Sequence, residues 1–464
     1  MIFENEILSS TEVRPTIDEL ITLFDEKKYA ELSKVAHVLP PADIATYFDE
    51  MPENYYNRFF RLLPKETAAE VFVEMESELQ EHLINSFNDS ELSSMLEELY
   101  LDDTVDIIEE MPANVVKRII RNSSGENRNL INQLLNYPKD SAGTIMTTEY
   151  VRFTRSMTVE RALEHIRHVA IDKETIYTCY ITESNRRLVG LVTAKQLLIS
   201  PLDTALEDIM EENVVFVKTT DDKEEVALKF NKYGFLALPV VDNELRLVGI
   251  VTVDDAIEVI KEETDEDFAK MAAIIPTEKS YLKTSALDFW RARIPWLLLL
   301  MLSATFSSAI LHRFELALPA VLILFVPMLM GTGGNSGGQA SVTVIRGISV
   351  GDIEFSDFFR VLWKEVRVGL ITGTTLGAVC FLKVILIDKL LMNNPEITLS
   401  VALIISLTLV LTILVSKILG ATLPLLVKKI GLDPAVMASP FITTLLDIIS
   451  LLLYFLVATA FLSI

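Results

Sequence analysis

From Trp290 to the C-terminus the chain is almost continuously apolar, and the polar residues that interrupt it can be picked out singly. A membrane span needs about 20 mostly apolar residues, and five stretches meet that requirement, near 293–312, 317–345, 361–391, 398–427 and 434–464. Before Trp290 the pattern changes. Between Leu39 and Pro112 an apolar residue followed by Pro or a polar residue returns every 12 positions, as "LP" at 39, "MP" at 51, "LP" at 63, "ME" at 75, "FN" at 87, "LY" at 99 and "MP" at 111. Proline fits the first helical turn, where its missing N–H is no loss. Each unit reads as a short helix plus a turn, and two units as a helical hairpin of 24 residues. Stacked hairpins bury one continuous face, which predicts a superhelical repeat domain.

A second repeat starts near Pro138. "TIMTTEYVRFTRSMTVERALEHIR" returns as "DIMEENVVFVKTTDDKEEVALKFN" at an offset of 64, and "RLVGLVT" (187–193) as "RLVGIVT" (246–252) at an offset of 59. A loop five residues longer in the first copy accounts for the difference. Short β-branched runs alternate with helical periodicity, so each copy predicts a compact α/β module. The pair resembles tandem cystathionine β-synthase (CBS) domains, which implies regulation by adenosine nucleotides or ions. In that family a G-x-x-[ST]-x-x-[DN] stretch holds phosphate and ribose. Gly249, Thr252 and Asp255 fit it, whereas the first copy has Gly190 and Thr193 but Gln196. ATP is therefore expected at one cleft only.

Charge divides the chain at the same place as hydropathy. Of the 65 acidic and 41 basic side chains, residues 290–464 hold 9 and 12, which leaves residues 1–289 with a net charge of −27. That balance disfavours nucleic acid as a partner and favours cations. Asp102 and Asp106, four apart, share a helix face, which a solvated acidic surface would also explain. In "DDAIEVIKEETDEDFAKMAAI", the ten residues from Glu258 to Asp267 set Glu258, Glu262, Glu263, Asp265, Glu266 and Asp267 against one Lys261, while Ile257, Ile260, Phe268 and Met271 keep helical spacing. It predicts a connecting helix whose mutual repulsion a hard divalent cation would relieve; acids at a helix start also suit the macrodipole. The first residues, "MIFENEILSS", carry no basic region or long apolar run and give no sign of a signal peptide. The two cysteines, Cys179 and Cys380, suggest neither a disulfide framework nor a metal cluster.

Within the apolar half, Arg291, Arg293, Arg346, Arg360, Lys364, Arg367, Lys428 and Lys429 collect at one set of span ends. The positive-inside tendency then makes the soluble half cytoplasmic and leaves the C-terminus outside a cell membrane crossed several times. The second span ends in "PMLMGTGGNSGGQASVTVIRG", with five glycines between Gly331 and Gly338 at small-xxx-small spacing and with Thr332, Asn335, Ser336 and Gln339 among them. The fifth carries Asp447 in the middle of "SPFITTLLDIISLLLYF". An Asp at the bilayer centre costs roughly 2.5–3.5 kcal/mol on insertion scales, so it is expected to face a cavity, a partner or an ion path. A salt bridge to Lys383 or Lys417 is the structural alternative.

The order of a 12-residue helical repeat, tandem CBS modules, an acidic helix, "PMLMGTGGNSGGQ" and "GLDPAVMASPFITTLLD" resembles the MgtE family of magnesium channels and transporters over nearly the whole chain. The resemblance implies a homodimer in the lipid bilayer with a pore on its two-fold axis, lined by the second and fifth spans. It places the pore metal at Asp447 and lining groups at Gly331, Gly334, Asn335, Pro440, Thr443 and Thr444. It places cytosolic Mg²⁺-sensing acids at Asp102, Asp106, Asp254, Asp255, Glu258, Glu263, Glu266 and Asp267. Two positions depart from the family pattern: Gly338 stands where many relatives carry Asn, and Ser439 precedes Pro440 where some carry Asn.

The expected fold class is thus multidomain: an α-helical superhelical repeat domain (1–137), two α/β CBS domains (138–200 and 201–260), an acidic connecting helix (261–289) and an α-helical transmembrane domain of five helices (290–464). The expected function is a Mg²⁺-selective channel gated by cytosolic Mg²⁺. The alternatives are a membrane-anchored nucleotide-sensing CBS protein, or a carrier for another divalent cation such as Co²⁺. Softer ions are disfavoured because the spans hold no His or Cys cluster. An enzyme is not expected, since the chain shows no nucleophile–base motif.

Overall fold

The structure, a computed structural model, describes residues 15–277, 281–282, 284–315, 319–437 and 439–462. The reading of the first ten residues and the surroundings of the Ser439 side chain lie outside the described parts. The chain forms two compact units, 1–259 and 260–464.

The first unit opens with α1 (Ile17–Asp25), α2 (Tyr29–Val38), α3 (Pro41–Glu50), α4 (Glu53–Phe60), α5 (Lys65–Val73), α6 (Ser77–Ser86), α7 (Asp89–Leu96), α8 (Leu101–Glu110), α9 (Ala113–Asn122) and α10 (Gly125–Leu134). Each begins 12 residues after the one before, so the repeat runs further in both directions than the apolar–proline signal alone shows. The recurring apolar residue explains the period. Met51, Leu63, Met75, Phe87, Leu99 and Met111 are all buried, and Met51, Phe87 and Met111 have extended backbone that ends the helix before them. Pro, Glu, Asn or Tyr then starts the next one, with Asn88 closing a capping box on Glu91. Helix α3 packs on α5, α5 on α7 and α7 on α9, while α4 packs on α6 and α8 on α10, so the hairpins stack about a shared core that includes Phe48, Phe59 and Phe72.

Two α/β modules follow. The first holds β1 (Tyr150–Phe153), α11 (Val159–Val169), β2 (Thr175–Thr182), β3 (Leu188–Thr193) and α12 (Ala194–Ile199); the second holds β4 (Val217–Lys218), α13 (Lys223–Tyr233), β5 (Ala237–Val241), β6 (Leu247–Thr252) and α14 (Val253–Met271). Each sheet pairs its first two strands in parallel and the last two antiparallel. The offset of 64 between α11 and α13 falls to 59 between β3 and β6, and a short 3₁₀ turn, Ala170–Asp172, takes up the extra length. The second copy instead closes α13 on Gly234 with φ +67°, a left-handed position that suits glycine.

One boundary differs from the sequence reading. The acidic helix was expected over 261–289, but α14 starts at Val253, directly on β6, and ends at Met271. Its start is fixed by Asp255, whose Oδ2 accepts hydrogen bonds from Thr252 N (3.2 Å) and Thr252 Oγ1 (2.5 Å).

The second unit contains five helices long and apolar enough to cross a membrane, over Ala286–Phe314, Ala320–Ser349, Phe355–Leu391, Leu399–Lys429 and Pro440–Leu462. They are built from α15 (Ala286–Glu315), α16 (Ala320–Ile323) with α17 (Val326–Ser349), α18 (Phe358–Lys383) continued by a π-helical segment Val384–Leu391, α19 (Leu399–Lys429) and α20 (Ser439–Leu462). Helix α17 packs on both α19 and α20, and α19 packs on α18 as well.

Candidate functional site

Two groups of acids stand out, one in each unit. In the first unit, α8 brings Asp102, Asp103 and Asp106 to the start of α14, which carries Asp254, Asp255 and Glu258. Parallel pairing of Tyr150 with Thr175 adds Glu149 and Glu174, the residues just before those strands, and Glu174 N donates to Glu149 O at 2.9 Å. Asp102 is 5 % exposed, and its Oδ1 accepts the neighbouring Asp103 N–H at 3.1 Å.

Burial first, and then the neighbouring carboxylates, push these acids upward. Asp102 is held well above the usual carboxylate range, Asp103 rises to about 7, and Asp106 and Glu174 rise to about 8. Asp255 reaches about 6, since its bonds from Thr252 offset part of the burial. The leading charges acting on Asp102, Asp103, Asp106 and Glu174 are all other carboxylates. A cluster of this kind cannot be fully ionised near neutrality without added positive charge. Among the described residues no three His, Cys, Asp or Glu side chains converge closely enough to hold a bare metal ion. Carboxylate oxygens gathered in this way suit a hard cation such as Mg²⁺, which takes one or two carboxylates alongside its water.

Asp103, Glu149 and Glu174 join this cluster although sequence reasoning did not single them out. Asp103 was legible as the neighbour of Asp102. Glu149 and Glu174 were not, because only strand pairing brings them together.

The later acids of α14 have other partners. Asp267 accepts a hydrogen bond from Ser349 Oγ at the end of α17 (2.7 Å), and Lys270 bridges Glu266 (2.7 Å) and Asp433 (2.6 Å). Burial, followed by the charge of Asp433, raises the Asp267 carboxyl despite the Ser349 bond. Glu263 is half-buried on the same helix.

The nucleotide motif has a local role. A Cβ on Gly249 would lie 2.8 Å from Thr147 O and 2.6 Å from Met146 Sδ, and one on Gly190 would meet Glu211 O at 3.1 Å, so both glycines let a crossing strand approach. Thr193 and Gln196 close the same helix cap as Thr252 and Asp255. Gln196 thus preserves the cap and changes only the charge.

In the second unit Gly333, Gly334 and Gly337 of α17 face its neighbours. A Cβ on Gly333 would sit 2.7 Å from Ser450 Oγ and from Thr412 Cγ2, and one on Gly334 would sit 2.7 Å from Thr443 Cγ2. One on Gly337 would overlap Leu446, and Gly337 itself abuts Gly420 backbone to backbone. Gly334, expected at the pore, is buried in this contact and serves helix packing. The opposite side of α17 is exposed along Pro327, Gly331, Asn335, Gln339, Thr343 and Arg346, one helical stripe. On α20, Thr444 Oγ1 turns back to Pro440 O (3.0 Å), and Pro440, Thr443 and Asp447 are half-buried. Asp447 makes no hydrogen bond or ion pair with another described residue. Lys383 pairs with Asp388 (2.8 Å) instead, and Lys417 lines a cavity beside α17, so neither lysine is the partner of Asp447.

Family comparison accounts for all three regions. A family described as "divalent cation transporter" (MgtE) matches residues 326–457, the MgtE intracellular N domain matches 39–140, and CBS domains match 142–202 and 206–262. The chain is 37% identical to the magnesium transporter MgtE of Thermus thermophilus, over 92% of this chain and 94% of that one. It is 32% identical to the magnesium transporter MgtE of Bacillus subtilis, over 96% and 98%. Its soluble part resembles the crystal structure of the cytosolic domain of the Mg²⁺ channel MgtE in complex with ATP, at 36% identity and TM-score 0.50, covering 53% of this chain and all of that one.

Proposed function

The chain belongs to the MgtE family, and from that premise we propose that it forms a homodimeric, Mg²⁺-selective channel of the cell membrane that cytosolic Mg²⁺ closes. Asp447 carries this reading: a carboxylate within a span, without a protein partner among the described residues, on the helix that packs against α17, which exposes Asn335, Gln339 and Thr343. A polar stripe on a membrane helix requires water or protein against it. A second copy related by a two-fold axis supplies both, with two Asp447 carboxylates facing a hydrated ion. Mg²⁺ fits because it gives up water reluctantly and is held by one or two carboxylates.

Closure follows from the soluble cluster. Asp102, Asp103, Asp106, Asp254, Asp255 and Glu258 repel one another, and Mg²⁺ bound among them favours the arrangement in which they stay close. Such a ligand shifts a gate only through its different affinity for open and closed states. Glu263, Glu266 and Asp267 continue the acidic run of α14. The soluble half lies in the cytoplasm and the C-terminus outside, as the basic span ends direct. ATP would bind the second CBS module, where Asp255 belongs both to the nucleotide motif and to the carboxylate cluster.

Reconstitution tests the reading. Proteoliposomes should take up Mg²⁺, with uptake suppressed when Mg²⁺ is raised on the side of the soluble unit. Uptake of Co²⁺ in preference to Mg²⁺, or no divalent uptake, would contradict it.

A further inference from the structure

Beside the exposed face of α17 lies a cavity of about 820 Å³, walled by Asn335, Gln339 and Thr343 of α17, Glu365 and Val368 of α18 and Lys417 of α19. Its lining is mostly polar and its volume far exceeds what one water needs. Lys417 is only 6 % exposed, yet it has no hydrogen bond or ion pair with any described residue. Glu365 shares the cavity without reaching it. Lys417 also stands 12 residues from the end of α19 at Lys429, or roughly 18 Å along the helix axis, beyond the reach of snorkelling. The contrast with Lys383, paired with Asp388 at 2.8 Å, shows that the fold can neutralise a lysine in this unit when a partner is built for it.

Depth ties Lys417 to Asp447. Gly337 touches Leu446 on α20 and the carbonyl of Ser416 on α19, and each is the chain neighbour of one of the two charges. Residues 416 and 446 therefore lie at one level of the bundle, both against the glycine face of α17, and Lys417 and Asp447 each follow by one residue. An ammonium at that level needs water or an anion around it, and the polar cavity supplies water.

We propose that Lys417 is a fixed positive charge lining a hydrated vestibule of the conduction path, a specificity- and rate-determining residue in addition to Asp447. The inference rests on the pore reading above. A cation leaving Asp447 along Asn335, Gln339 and Thr343 passes this ammonium. The charge raises the energy of a cation resting in the vestibule, so the ion binds no second time and moves on. Conduction requires such a balance between entry and release. Glu365, in the same cavity, keeps the barrier low enough to pass.

The test compares Mg²⁺ uptake by proteoliposomes of the wild type, Lys417→Met and Asp447→Asn. Removing the unit charge should lower the half-saturating Mg²⁺ concentration roughly threefold or more and reduce maximal uptake. Lys417→Cys, made in a chain whose two cysteines Cys179 and Cys380 are replaced by Ala, gives a second arm. A water-soluble aminoethyl thiosulfonate should react there and restore an ammonium, moving half-saturation back towards the wild-type value within one folded preparation. Unchanged half-saturation and uptake in folded Lys417→Met dimers, or a Cys at 417 inert to the reagent, would overturn the proposal. Normal uptake by Asp447→Asn would instead overturn the pore reading, whatever Lys417→Met does.

Discussion

The soluble unit gathers carboxylates against one another, whereas the membrane unit sets Asp447 apart from any partner among the described residues. Both arrangements cost free energy in the isolated protomer, but in different forms. In the cluster around Asp102 the cost is mutual repulsion and burial, which protons or a cation can relieve by degrees. At Asp447 the cost is that of a half-buried charge in a span, which an ion bound there would relieve. The first arrangement is suited to sensing concentration, the second to selecting what moves.

The sharpest way to break this comparison is at Asp447. Asp447→Asn keeps the side-chain shape and removes both carboxylates from the symmetric position, so dimers should assemble while Mg²⁺ flux falls by roughly tenfold or more. Assembly is read by size-exclusion chromatography and flux by a Mg²⁺ dye inside proteoliposomes. The reverse experiment neutralises the cluster. Asp102→Asn with Asp106→Asn should leave flux intact and raise the Mg²⁺ concentration needed for inhibition roughly tenfold, a coupling loss of about 1.4 kcal/mol.

Titration separates the two units further. The folded-state values of about 7 for Asp103, and about 8 for Asp106 and Glu174, lie above the unfolded carboxylate range. The folded unit therefore binds protons more tightly than the unfolded chain. Stability from these groups is complete below about pH 4 and is lost as pH rises through about 7 to 8. With EDTA present, the melting temperature of the soluble region should drop by roughly 5 °C or more between pH 5.5 and 8.5, and saturating Mg²⁺ should flatten the slope. A melting temperature that climbs over this interval without Mg²⁺ would remove the repulsion argument.

Much of this was legible in the chain. The 12-residue spacing gave the helix starts of the repeat domain because each turn buries one apolar residue, and the five spans followed from length and apolarity. The first two helices were missed since Thr16 and Lys28 carry no apolar–proline signal. The acidic stretch from Asp254 already marked α14 as a helix, but the boundary drawn at 261 cut it: Gly249, Thr252 and Asp255 were read as a nucleotide motif, when Thr252 and Asp255 also form the cap that starts the helix at Val253. Glu149 and Glu174 depend on strand register, which no local pattern carries. Which side of α17 faces α20, with Gly334 against Thr443, depends on the rotation of the helix, which no local pattern carries.

Smaller changes sharpen the same contrast. Gly337→Ala places a methyl against Leu446 and the Ser416 carbonyl, and should cost about 1–3 kcal/mol, seen as a lower thermal midpoint and dimer yield. Mg²⁺ binding to the isolated soluble region should not respond. Gln196→Asp should change least, within roughly 0.5 kcal/mol, because Asp caps α12 as Gln does; circular dichroism melting of the soluble region reads it.

The most direct test of the division between sensing and conducting measures both properties on both variants. Mg²⁺ uptake and its inhibition from the cytosolic side are recorded for Asp447→Asn and for the Asp102→Asn, Asp106→Asn pair, and Mg²⁺-dependent protease protection is recorded for the soluble unit of each. The account predicts that Asp447→Asn loses uptake but keeps protection, while the paired variant keeps uptake and loses inhibition and protection together. Substantial Mg²⁺-selective uptake through folded Asp447→Asn dimers, or unaltered inhibition in the paired variant, would contradict it.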